Sequence, residues 1–189
     1  MKKFALLLTI LFSAFCVLPV IAQQNTGPAG VILSHYSASN FVAGTIPRAD
    51  LDTIIQAGIR APSAGNRQPW HFTVVQDLNL AKRIVPQSLD GNVLIVISAA
   101  GDSRTNTREI IDCALATQSI YLAAQALGYG SRIYTGPVDG LNRNLKSDLG
   151  LPANYSAVAV VRVGRIVLRA DTVSAASSRK APDSMINYK

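Results

Sequence analysis

Hydrophobic and polar positions along the chain change period several times, and each change marks an element. Residues 4–21 form an apolar run behind Lys2 and Lys3. Residues 31–41 predict a short helix, although Ser34, His35, Ser37, Ser39 and Asn40 cluster too closely for a simple apolar face. From Pro47 and Asp50, a second helix carries Leu51, Ile54, Ile55 and Ile59 at amphipathic spacing until Pro62 stops it. A strand over 72–75 and a short helix over 79–84 follow. Residues 93–99 are a continuous apolar strand with no exposed face. The longest helix covers 106–127, with Asn106 and Glu109 spaced as a capping box and Gly128 as the stop. It is apolar nearly all round, so it belongs in the centre of the fold or in a subunit interface. A strand over 130–135, a turn over 136–140, a short helix over 141–149 and a strand of alternating Val and Ala over 157–163 complete the core. From 168 onward the chain is polar and has no core of its own. This order, without internal repeats, predicts one layered α/β or α+β domain.

The first run reads as an export signal. Val20 and Ala22 fit the pattern cut by a signal peptidase, so residues 1–22 are expected to be removed, leaving 23–189 as a single periplasmic or otherwise exported domain with no membrane segment. An uncleaved anchor is the rival, and Pro19 with the cleavage-like end speaks against it. A lipid anchor at Cys16 is disfavoured by the bulky Phe15 before it. Cleavage leaves Cys113 as the single cysteine, flanked by apolar neighbours, so neither a disulfide nor a zinc or iron–sulfur site can be built.

Composition adds a modest positive field. The net charge is +7, and removal of Lys2 and Lys3 lowers it by two. The basic residues are scattered and aromatics few, which argues against a nucleic-acid surface and for an anionic small ligand. No Gly-x-Ser-x-Gly elbow and no Gly-x-Gly-x-x-Gly fingerprint occur.

The most distinctive stretch is the rigid, polar loop over 60–72. Pro62 and Pro69 fix φ, Gly65 permits a turn, and Ser63, Asn66 and Gln68 supply hydrogen-bonding groups. Its sequence, Pro62-Ser63-Ala64-Gly65-Asn66-Arg67-Gln68-Pro69-Trp70-His71-Phe72, resembles the signature loop of the FMN-dependent nitroreductases. The likeness extends in order through the first polar helix, the central helix, the Gly136–Gly140 turn and the Ser-Arg-Lys tail. It implies an α+β fold, a mixed sheet flanked by helices around the central apolar helix, assembled as an intertwined homodimer with FMN at the subunit interface.

By that likeness, Pro62, Ser63, Asn66 and Gln68 form one wall of the flavin site. Pro137, Asp139 and Gly140 line the other face, with the Asp139 backbone N–H toward the flavin N5. The phosphate end departs from the family: His35 and Ser39 stand where two basic residues usually flank a serine, kept here as Ser37. The tail keeps Arg179 but has Ser177 for a usual Lys. Exchanging cations for neutral groups weakens phosphate binding unless Arg67 or Lys180 moves in, so looser FMN binding is expected. The run 171–177 faintly resembles a covalent FMN-attachment motif at Ser177, with Ala175 for its usual Gly.

The likeness implies a ping-pong oxidoreductase that passes electrons from NAD(P)H or a redox partner to a nitroaromatic, quinone or similar acceptor. The chain between 85 and 93 is too short for the helices that cover the substrate in larger members, so the site is expected to be open. The alternative is a non-enzymatic dimeric binding protein on the same fold that has lost flavin.

Overall fold

Pro28 opens helix α1 (Pro28–Ser34) from its first position, where a missing N–H costs nothing. A computed structural model of the chain describes residues 27–102, 105–167 and 180–189. The expected signal peptide, Ser177 and Arg179 lie outside the described residues. After α1 come strand β1 (Phe41–Val42), α2 (Arg48–Ile59), β2 (Trp70–Val75), α3 (Leu78–Ile84), β3 (Val93–Ala100) and α4 (Thr107–Ala126). Then follow β4 (Gly130–Tyr134), α5 (Val138–Asn144) and β5 (Tyr155–Ile166).

Strand β5 is the axis of the sheet. On one side it pairs with β3, Val93 opposite Val163 and Ala100 opposite Tyr155. On the other it pairs with β4, Gly130 opposite Gly164, and beyond that with β1, Phe41 opposite Ile166. Strand β2 lies outside β3, with Trp70 opposite Ala99. The α+β class holds, but every pairing among the described residues is antiparallel, where the resemblance implies a mixed sheet. The reason is topological: β3 and β4 run the same way on either side of α4, and β5 enters between them, so they never touch.

Alternation along β3 sends Val93, Ile95, Ile97 and Ala99 toward α2 and α4, where they meet Leu51, Ile54, Cys113 and Ile120. Leu94 and Val96 face the opposite layer, with Ala81, Ile84, Val138 and Leu141 of α3 and α5. Both faces of β3 are covered, which explains its unbroken apolar run. Helix α2 approaches α4 closely at Gly58, where a Cβ would lie 2.7 Å from Ile120 Cδ1.

Several sequence expectations change. The helix expected over 31–41 is α1, earlier and shorter; His35 is already extended. The backbone of Tyr36 is instead held by the Gln125 side chain, which accepts from its N–H (3.1 Å) and donates to its carbonyl (2.7 Å). The turn at 136–140 is the start of α5, with Pro137 as N-cap, so the helix expected over 141–149 begins three residues sooner. The capping box does not form: Asn106 makes no side-chain cap bond, and Glu109 is engaged by Arg67. Helix α4 buries Asp112, Thr117 and Tyr121 among its apolar residues, while Ile111 and Leu115 are 56% and 40% exposed. No described helix is long and apolar enough to cross a membrane.

Candidate functional site

The loop between α2 and β2 is bent by three left-handed positions within four residues, Gly65 (φ 62°), Asn66 (φ 53°) and Gln68 (φ 48°), with Arg67 right-handed between the last two. Left-handed backbone is unfavourable for a non-glycine residue, and neighbouring bonds must hold it. Within the loop, Ser63 Oγ accepts from the Gln68 N–H at 3.0 Å, and the Asn66 N–H donates to the Ser63 carbonyl at 3.0 Å. The Gln68 amide donates to Asn66 Oδ1 at 3.1 Å. Asn66 is exposed and has its NH2 donors to give, and Ser63 has its O–H. Both side chains therefore present donors to whatever lies against the loop.

Helix α4 holds the loop from below. Asp112, buried on α4, accepts from the Ala64 N–H through Oδ1 at 3.1 Å. Its Oδ2 lies 3.5 Å from Arg67 Nη2, and Glu109 Oε1 lies 3.1 Å from Arg67 Nη1. Arg67 also donates through Nε to the Ala64 carbonyl at 3.1 Å. A guanidinium committed to two carboxylates is not the spare phosphate cation that the sequence suggested. Next along α4, burial pushes the Cys113 thiol up to about 12, with the charges of Asp112 and Glu109 adding to the effect. A thiol in that state is no nucleophile.

The expected phosphate end lies elsewhere. His35 contacts the Ile32 carbonyl through Nδ1 and meets Tyr121 of α4 edge-on, ring centroids 5.6 Å apart. Ser37 and Ser39 are exposed on an extended segment that the Ala38 N–H ties to the Ser131 carbonyl of β4 at 3.0 Å. Lys180 is exposed. Pro137, Asp139 and Gly140 line an open groove of about 700 Å³ between α3 and α5, together with Arg83 and Arg143. Asp139 and Gly140 fall in the first turn of α5, where backbone N–H groups have no intrahelical acceptor.

These pieces do not converge within one chain. Asp112 and Tyr121 are about 14 Å apart along α4, and that separates Ser63 and Asn66 from His35 and Ser37. The loop before β2 and the turn after β4 sit at opposite edges of the sheet, three strand spacings or about 14 Å apart.

A family model described as the nitroreductase family matches residues 32–93 and 89–165. The chain belongs to the nitroreductase family. A protein of Archaeoglobus fulgidus, provisionally named NADH dehydrogenase/NAD(P)H nitroreductase, is 37% identical over 125 residues, which is 61% of this chain and 71% of the relative. A protein of Desulfovibrio desulfuricans, provisionally described as a nitroreductase and solved in complex with FMN, superposes with a TM-score of 0.72 at 23% identity. That match covers 86% of this chain and 97% of the other. A nitroreductase of Bacteroides fragilis with bound FMN gives 0.68 at 22% identity, over 85% and 97%. At such identities the superpositions speak for the nitroreductase fold alone.

The sequence pattern points to Glu109 only as a capping residue and does not single out Asp112, yet both anchor the signature loop here. The available signal was an acid placed inside an otherwise apolar helix; a buried carboxylate is costly without partners and therefore implies them. Among the described residues no group of three His, Cys, Asp or Glu side chains is placed to hold a metal.

Proposed function

We propose that this chain is an exported FMN-dependent oxidoreductase that acts as a homodimer and reduces nitroaromatics, quinones or similar flat acceptors. The observation that carries the reading is the loop at 63–68, a left-handed segment whose Ser63 and Asn66 side chains have donors to give, in a member of the nitroreductase family. FMN, when bound, supplies the redox chemistry, accepting a hydride equivalent in one half-reaction and releasing electrons to the acceptor in the other. The chain's part is to bind and orient it. Ser63 and Asn66 offer hydrogen bonds to the oxygen and nitrogen edge of a flavin, and the Asp139 N–H offers one from a second wall. The separation of these walls within one chain supports a site completed by a second copy, with the exposed Ile111 and Leu115 of α4 as the contact.

The residues present fit the ring better than the phosphate. Arg67 is committed to Asp112 and Glu109, the His35 ring is engaged by α1 and Tyr121, and Ser39 is a hydroxyl. That leaves exposed Lys180, among the described residues, as the cation that could move in beside the retained Arg179. Looser FMN binding than in relatives with two cations follows. The same gap favours one alternative, a dimeric binding protein on this fold that has given up flavin.

The deciding experiment is to recover the exported chain, confirm cleavage after Ala22 by intact mass, release any flavin with acid and identify it. FMN, together with reduction of a quinone by NAD(P)H or a reduced redox partner, supports the enzyme. Colourless protein that FMN cannot load supports the alternative.

A further inference from the structure

The signature loop is not self-supporting. Its internal bonds link Ser63, Asn66 and Gln68 to one another, but none of them ties the loop to the rest of the fold. That role falls to α4. Asp112 is 2% exposed, and its two oxygens take the Ala64 N–H and the Arg67 guanidinium, one on each side of the left-handed turn at Gly65 and Asn66. Arg67 closes the ring by donating back to the Ala64 carbonyl, and Glu109 holds its outer edge. A buried carboxylate needs such partners to offset its desolvation, so loop and helix stabilise each other.

We propose that Asp112, acting through Ala64 and Arg67, is the positioning residue of the flavin-facing loop: it sets the backbone from which Ser63 and Asn66 offer their donors. This rests on the flavin reading above. The latch has a second consequence. Asp112 lies in the same turn of α4 as Ile111 and next to Leu115, the exposed apolar residues through which a second copy would dock. A second copy docked there would sit on the turn of α4 that carries the latch. Asp112 touches no reacting atom and moves no proton.

The test uses the full chain with Asp112→Asn, Asp112→Ala and Arg67→Gln, the last approaching the latch through a side chain that is 38% exposed, so that one variant folds even where a buried change fails. In each folded variant, amide hydrogen exchange across 64–68 is expected to rise about tenfold or more, the loss of one charge-assisted bond, while α4 beyond its first turn keeps its protection. Riboflavin and FMN affinities are expected to fall about tenfold together, because the loop meets the ring and not the phosphate. The midpoint potential of the flavin that still binds is expected to shift. A merely structural Asp112 would lower the melting temperature and leave loop exchange, flavin affinity and potential at wild-type values; that result overturns the proposal. If the wild-type chain binds neither flavin, the flavin reading falls, and the exchange data alone decide whether Asp112 sets the loop.

Discussion

Replacing Ile111 and Leu115 together by serine is expected to leave the fold intact and dissolve the proposed homodimer. Both residues project from α4 on the side away from the sheet, where they are 56% and 40% exposed. Full burial of a side chain of this size contributes about 1.5–3 kcal/mol. Covering the exposed fraction of Ile111 is then worth about 0.8–1.7 kcal/mol and that of Leu115 about 0.6–1.2 kcal/mol. In a two-fold interface each patch is used twice, so the two substitutions remove about 3–6 kcal/mol of association free energy. That is a loss of roughly two to four powers of ten in the dimer dissociation constant.

Sedimentation equilibrium of the wild-type and doubly substituted chains across a wide concentration range measures this shift directly. Circular dichroism and urea unfolding serve as controls, since neither side chain belongs to the buried core. If the site needs walls from two copies, flavin affinity falls in step with dimer dissociation. A wild-type chain that is monomeric at high concentration, or a variant that dimerises as tightly as wild type, refutes the argument.

Ser39→Arg returns a cation to the proposed phosphate end and is expected to tighten FMN about tenfold, the worth of one charge-assisted bond, while leaving riboflavin unchanged; fluorescence titration of both flavins reads it. Gly58→Ala puts a Cβ 2.7 Å from Ile120 Cδ1 and is expected to cost about 1–3 kcal/mol in urea unfolding by prising α2 from α4. Asn92→Ala takes away the oxygen that accepts both Nε and Nη2 of buried Arg162 (2.9 and 2.6 Å), and a loss of about 1.5–3 kcal/mol is expected. The Cys113 thiol, raised from 9.0 to about 12 in the folded chain, is expected to resist a disulfide reagent at pH 8 until the protein is unfolded. Above pH 9 the unfolded thiol ionises first, so the unfolded state binds fewer protons and stability falls as pH rises toward 12; Cys113→Ala should flatten that part of the profile.

The elements legible in the sequence are those whose pattern is decided locally. Strand β3 announced its two buried faces through an unbroken apolar run, α2 its single face through the spacing of Leu51 and Ile54, and α4 its length through the run closed by Gly128. The misread segments are those decided at a distance. Residues 35–40 do not continue α1 because Gln125, 89 positions beyond Tyr36, supplies both backbone partners that a further helical turn would have provided. The Asn106–Glu109 capping box had the right spacing, but Glu109 found Arg67 instead, a guanidinium from another element. The pattern places a separate turn at 136–140, whereas Pro137 caps a helix that already includes Val138 to Gly140.

The candidate site divides along the same line. Ser63, Asn66, Gln68 and Pro137 were found by their resemblance to the nitroreductase signature, which preserves what faces outward. What ties the loop to the rest of the fold lies outside that stretch, in Asp112 and Glu109 of α4. Arg67 illustrates the difference: read in sequence it was a spare cation near a binding loop, and in the fold it is consumed by two carboxylates, one of them buried. Moving Arg67 to a phosphate would give up its contacts to both carboxylates and leave buried Asp112 with the Ala64 N–H alone. In the proposed flavin site Arg67 is therefore not the cation that makes up for Ser39, and the segment around Lys180 or a second copy of the chain is where that charge is sought.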